Sequence, residues 1–424
     1  MLVIRHPARR LVALATPSRR LPSQVSLYLF ASLVVTFLAA SAAPTPLYAT
    51  YQAEWGFSAI TTTIVFGVYA IAVLAALLTL GRLSDHLGRR PVLLAAIAVQ
   101  ALSLVLFVHA GDVDELLVAR VVQGVSAGAA LGAIGAGMLD LNRSRGTLAN
   151  AVAPGIGTAT GALLSAIVVQ YLPAPTRLIY LVLLTVLAVQ AVGVFLTRET
   201  VTRTDGALAA LVPDVRLPRG VRGAVLMVAP VLFAVWALAG FYASLGPALV
   251  RSIAGSHSIV LGGLSLFVLA GSAALSVLVL RTAEARTLMV TGVLALVLGV
   301  TMTLVAVAAG STVGFFAGTV VAGVGFGSGF QGGIRTVLPL VAPHERAGVL
   351  SLLYVVSYLG LGVPAIAAGY LVVHAGGLVV TAREYGIAVI ALAAVALVAL
   401  LRRGDAGEQP QRANAPACTA GRVR

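Results

Sequence analysis

Eleven residues from Gly81 to Pro91, GRLSDHLGRRP, hold five groups that can carry charge (Arg82, Asp85, His86, Arg89 and Arg90) in a 424-residue chain of which only 10% is charged. Side chains of this kind, a few positions apart, suit reversible ion pairing rather than bond making. Gly81 and Gly88 frame them and permit a tight turn and close helix approach. A second charged residue, Arg120, stands alone within the apolar run Leu116 to Gly124, with Gln123 three residues on. A guanidinium in mid-membrane costs some ~2.5 kcal/mol or more and by default marks a functional position facing protein or water. Arg120 also lies about one helical turn from the end of its run, so reaching out to the interface is the alternative reading.

Other chemistry is excluded. None of the 28 basic residues is lysine, which removes phosphate loops of the Walker type and Schiff-base chemistry. The lone Cys418 lies in a polar tail and supports neither a disulfide framework nor a Cys metal cluster. No metal and no cofactor is expected. An integral-membrane enzyme would need clustered His or acids within the membrane, and the acids sit elsewhere: Glu54, Asp112, Asp114, Glu115 and Glu384 toward one side, Asp85, Asp140 and the rest toward the other.

These residues must be positioned by membrane-spanning helices. A chain that is 59% hydrophobic carries more apolar surface than a soluble core could bury. The reading is an N-terminal tail over 1–22 with Arg5, Arg9, Arg10, Arg19 and Arg20, then six spans at about 23–43, 58–80, 92–110, 116–139, 147–172 and 177–197. A linker at 198–222 holds five arginines, three acids and two prolines, and six more spans follow at about 223–250, 257–280, 287–309, 312–335, 347–373 and 384–401. Pro44 to Phe57 is expected as a loop, and 402–424 as a disordered tail. The domain boundaries are therefore 23–197 and 223–401 for two six-span bundles. The first run ends in small residues like a cleaved signal, but it is too long, and removing it would leave an odd span count.

A net charge of +14 would suggest nucleic acid in a soluble protein, yet twenty-four of the 28 arginines fall on one side of this arrangement against three on the other. That bias puts both termini in the cytoplasm and excludes a nucleic-acid partner. The halves also repeat weakly: Leu78-Thr79-Leu80 precedes the charged loop and Leu278-Val279-Leu280 precedes Arg281 to Arg286, an offset of 200.

The pattern Gly-x-Leu-x-Asp-x-x-Gly-Arg-Arg at Gly81 to Arg90, between two apolar runs, resembles the signature between the second and third spans of the major facilitator superfamily. The resemblance implies an all-α membrane protein of twelve transmembrane helices in two pseudo-symmetric six-helix bundles around a central cavity. It also implies a latch. Asp85 would sit at the N-terminus of span 11, near Glu345 and Arg346, and Arg89, with Arg90 beside it, would pair with Asp140 at the end of span 4. The plain alternative is a solvated, positively charged loop that fixes topology.

Arg120 with Gln123 and Gly124 resembles the family's span-4 motif, which implies a role in coupling proton movement to transport. Ala149 to Thr158 partly resembles its span-5 antiporter motif: Pro154 and Gly157 stand in place, while Ala149, Ala153 and Thr158 replace glycines. Pro154 is expected to kink the helix. The family architecture lines the path with spans 1, 4, 7 and 10, which makes Thr36, Gln123, Trp236, Tyr242, Gln331 and Arg335 cavity candidates, with Asn150 and Tyr358 on neighbouring spans. Arg281 to Arg286 has lost the glycines and reads as topological, with a weak pairing of Glu284 and an arginine.

With no acid in mid-membrane, coupling falls to Glu54, Asp85, Asp140, His109 or His374, or the protein is a uniporter. The expected function is proton-coupled efflux of a small organic molecule by a monomer in the bacterial cytoplasmic membrane. The alternatives are metabolite uptake by symport or uniport and, from another class, a receptor or scaffold on the same fold. Its expected partners are the small-molecule substrate, protons and the lipid bilayer.

Overall fold

The computed structural model describes residues 20–407. The tail arginines up to Arg19 and the lone Cys418 lie outside them. Twelve helices are long and apolar enough to cross a membrane, and the described residues form no strand. The first half holds α1 (Ser23–Ala42), α2 (Pro44–Trp55), α3 (Ala59–Leu80), α4 (Leu83–Leu87), α5 (Arg89–His109), α6 (Val113–Leu141), α7 (Arg143–Tyr171) and α8 (Leu178–Leu196). The second holds α9 (Arg222–Ser244), α10 (Gly246–Ala254), α11 (Ile259–Val279), α12 (Ala285–Ala308), α13 (Thr312–Val337), α14 (Arg346–His374) and α15 (Gly377–Gly407).

Two expectations about the backbone are corrected. The segment from Pro44 is not a loop: it continues the first span as α2, which ends at Gly56 with a φ of 68°. Proline is tolerated there because the first helical position needs no N–H donor. The whole first span runs 33 residues, or about 50 Å at 1.5 Å per residue. The seventh span, expected as one helix, likewise breaks at Leu245 and resumes as α10, with Pro247 in its first turn. Both breaks sit at corresponding ends of the two halves, the end opposite the charged loop, here called the mouth. Pro154, in contrast, stands within a single uninterrupted helix α7.

Each half has its own apolar core. One gathers Leu27, Phe37, Leu104, Ile134 and Leu187, the other Val235, Leu249, Leu296, Phe315 and Leu353. The halves meet where α3 packs along α14 and α7 along α11. Small residues permit the approach: a Cβ added at Gly263 of α11 would lie 2.9 Å from the Ala162 carbonyl oxygen of α7. Tyr358 of α14 packs against both cores and so stands at the seam.

Candidate functional site

The charged loop is built from one short helix and one glycine. After α3, the single turn α4 ends at Gly88, whose φ of 97° suits glycine. Arg89 then opens α5. Its guanidinium is buried and donates to Ser84 Oγ at 2.7 Å, to Asp85, and through Nε to Asp140 Oδ2 at 3.2 Å. The expected juxtaposition of Arg89 with Asp140 is therefore present.

Asp85 does not reach the start of α14. It pairs with Arg89 four residues on and leaves about half its side chain exposed. The place near the start of α14 is taken by the linker: the Arg216 N–H donates to the Gly348 carbonyl at 3.2 Å, and Arg216 packs its stem on Gly348. Arg346 instead donates to the Val341 carbonyl at 3.2 Å, and Glu345 precedes α14 without capping it through its side chain.

The linker supplies residues that sequence reasoning did not single out. Glu199 accepts the Arg89 N–H at 2.8 Å and the Arg90 N–H at 2.9 Å, so one carboxylate caps the N-terminus of α5 with both oxygens. A carboxylate there is favoured by the helix dipole. A Cβ on Gly88 would lie 2.7 Å from Glu199 Oε2, a second reason for glycine at that position. Thr200 donates to Asp140 Oδ2 at 3.1 Å, and the Thr204 N–H donates to the His86 carbonyl at 3.0 Å. Farther along, Asp214 lies 3.7 Å from Arg82 and 2.6 Å from Arg216. The linker thus runs as a strap from the charged loop of the first half to α14 of the second. Arg90 stacks over Phe195, 4.5 Å from the ring centroid. The only signal in the sequence was that three acids fall in a basic linker.

Arg120 is fully buried, so the interface-reaching geometry is not adopted. It donates to the Ser41 carbonyl at 2.9 Å, to Gln123 Oε1 at 2.7 Å and to the Tyr48 hydroxyl. Gln123 in turn donates to the Ala40 carbonyl at 3.0 Å. The carbonyls at residues 40 and 41 lie just before the α1–α2 break, so this network holds the break against α6. No carboxylate pairs with Arg120 among the described residues. Its charge rests instead among Tyr69, Tyr48 and Phe107, whose centroids lie 5.2, 5.6 and 5.8 Å away.

The remaining candidates divide. Trp236 and Tyr358 meet at 5.1 Å between centroids, with Phe330 and Phe326 at 5.6 and 6.1 Å from Trp236, an aromatic cluster between α9, α13 and α14. The indole N–H of Trp236 is buried with no partner among the described residues. Gln331 is half-buried on α13, and its side chain makes no hydrogen bond among the described residues. Three expectations are corrected: Tyr242 is buried inside the second half and bonds Thr319 Oγ1 at 2.8 Å; Arg335 donates to the Arg281 and Ala283 carbonyls at 3.0 and 3.2 Å, at the loop end; and Glu284 forms no ion pair within 4.0 Å among the described residues. Asn150 donates to the Gly135 carbonyl at 3.0 Å, joining α7 to α6, and Thr36 shares a 3.0 Å bond with Gln190. The physical reason is common to all: hydropathy sets a span's length, not which way a polar residue turns about its axis.

Comparison with known proteins agrees with this architecture. A family model, the Major Facilitator Superfamily, matches residues 28–308. An "uncharacterized transporter" of Rickettsia bellii is 42% identical over 74 residues, and one of Rickettsia felis 37% over 81 residues. The chain spans only 18% and 19% of the length of these relatives. The solved structure of the nucleoside transporter NupG superposes with a TM-score of 0.67 at 13% identity, covering 90% of this chain and 99% of that one. Among the described residues, no group of three or more His, Cys, Asp or Glu could hold a metal ion.

Proposed function

The chain belongs to the Major Facilitator Superfamily, and from that premise we propose that it carries a small polar metabolite across a bacterial membrane, inward, by symport or uniport. The two halves rock about the seam at Tyr358 and expose the site to each side in turn. The observation that carries this reading is the buried, acid-free Arg120 network. A fixed cation among aromatic rings repels cationic cargo and favours neutral or anionic solutes with polar edges. The fold neighbour, a nucleoside transporter, supports small-metabolite cargo as well. Export draws little support from the span-5 stretch, where Ala149, Ala153 and Thr158 stand where the antiporter motif has glycine.

The cluster of Trp236, Phe330 and Tyr358 offers flat apolar faces, and the unpartnered indole N–H offers one donor, a combination suited to a planar solute with an acceptor at its edge. The strap, fastened to the first half through Glu199 and to α14 of the second through Arg216, holds the charged-loop face shut while the mouth admits solute. The arginine bias places that face in the cytoplasm. The protein acts as a monomer, and symport would use the proton gradient.

Uptake of labelled nucleosides, sugars and carboxylates into proteoliposomes tests the proposal. Saturable uptake is expected, concentrative under an inward proton gradient for symport and only equilibrating for uniport. Gradient-driven export of preloaded solute with no uptake would overturn it.

A further inference from the structure

The two broken spans face each other at the mouth, α2 from the first half and α10 from the second. Between them lies a pocket of about 80 Å³ lined by Thr45, Tyr48, Gln52, Thr62, Ser244 and Arg251 among others. Beside it is a wider opening of about 510 Å³ that shares Gln52 and Arg251. Of the polar residues lining the inner pocket, Arg251 and Thr62 have donors without an acceptor among the described residues. Arg251 uses only Nε, on the Pro247 carbonyl at 3.2 Å, and no carboxylate lies within 4.0 Å of it among the described residues.

Thr62 is 4% exposed, and its hydroxyl is buried without a partner among the described residues. The Tyr48 oxygen accepts from Arg120, which leaves its own O–H with no acceptor among the described residues. Ser244 is already satisfied on the Gly240 carbonyl at 2.7 Å. Gln52 makes one long bond to the Phe57 carbonyl at 3.5 Å. Water can satisfy hydroxyls, but it does not cancel the charge of Arg251, which has no acid within 4.0 Å to offset it among the described residues.

We propose that this pocket binds the carboxylate of a small organic anion, with Arg251 as its charge partner and the Tyr48 and Thr62 hydroxyls as donors. One cation with two flanking hydroxyls matches a singly charged, two-oxygen group, and the planar guanidinium fork fits a carboxylate. The rest of the solute occupies the wider opening. The bound anion joins α2 to α10, and so one half to the other. Through the Tyr48 hydroxyl it also touches the partner of Arg120, linking the mouth to the buried network. This site deepens the transport reading and rests on it only in calling the occupant a substrate, since binding itself does not require transport.

Equilibrium dialysis of radiolabelled benzoate against the full chain in lipid nanodiscs tests the site, with benzamide and inorganic phosphate as competitors. Saturable binding is expected that neither competitor displaces. Arg251→Gln should weaken it on the order of tenfold or more, and Arg251→Lys should recover part of the loss. Thr62→Val, nearly isosteric and free of the orphan hydroxyl, should weaken binding severalfold while the thermal midpoint holds or rises, which guards against misfolding of the arginine variants. Absence of saturable binding, equal competition by benzamide or phosphate, or unchanged affinity in Arg251→Gln would each overturn the proposal. Benzoate binding in a chain that transports nothing would sink the transport reading and spare this site; transport without benzoate binding would do the reverse.

Discussion

The two ends of this molecule manage charge in opposite ways. At the charged-loop face four acids have partners: Asp85 and Asp140 on Arg89, Asp214 between Arg82 and Arg216, and Glu199 on the N-terminus of α5. At the mouth end neither Arg120 nor Arg251 has an acid within 4.0 Å among the described residues. Across linker and loop, acids and arginines meet in pairs; the other end keeps these two cations among aromatic rings and hydroxyls. Paired charges set which conformation is stable, whereas unpaired ones are available to a ligand. On the proposed reading, the switch belongs to the first end and recognition to the second.

Substitutions can break or sharpen this contrast. The largest effect is expected at the mouth end, where Arg120→Ala strips Tyr48, Gln123 and the Ser41 carbonyl of their shared donor. Unfolding free energy should fall by roughly 3 kcal/mol or more, at about 1–3 kcal/mol per orphaned group, and uptake should disappear. Chemical denaturation in detergent and proteoliposome uptake measure the two effects; a variant as active as the parent would remove Arg120 from the mechanism. Next is Gly88→Ala, which meets both a left-handed backbone and the Glu199 carboxylate, for a loss of about 1–3 kcal/mol. Its thermal midpoint should drop further than that of Gly220→Ala, where an added Cβ meets nothing within 4 Å.

Glu199→Gln keeps one acceptor but loses the charge at the start of α5, a change of roughly 0.3–1 kcal/mol. That suffices to shift a balance without unfolding the chain. With Cys418→Ser, a cysteine placed by Ala342→Cys just before α14 should label faster in this background, and equal rates would free the strap of any part in closure. Smallest is Asp214→Asn, because Arg82 and Arg216 are largely exposed and such pairs contribute about 0–1 kcal/mol. Its effect should vanish in 1 M salt, where screening acts within about 3 Å. Arg120→Ala should keep its effect under the same conditions, and if it does not, the two ends do not differ in the way described.

The spans were legible because twenty apolar residues in a row have few other fates. The breaks at Ala43 and Leu245 were not, since proline in a first helical turn reads equally well as a loop. Arg89, Asp140 and Arg120 could be found from spacing and from the cost of charge in lipid. Glu199 and Tyr48 could not: their partners lie 110 and 72 residues away, and nothing local distinguishes a capping carboxylate from a solvated one. Tyr242 and Arg335 were misplaced for the related reason that rotation about a helix axis depends on packing with other helices.

The cap on α5 also bears on how the chain is made. Its carboxylate comes from residue 199, after the sixth crossing, and the Arg20 side chain and Leu21 N–H bond the chain's 195–197 stretch as well. During synthesis the first bundle therefore stays unfastened at α5 until the start of the linker has left the ribosome. Two fragments divided near residue 206 should reassemble in a host membrane, each bundle carrying its own fasteners. The same gene divided at residue 198 would hand the first bundle's clasp to the wrong piece.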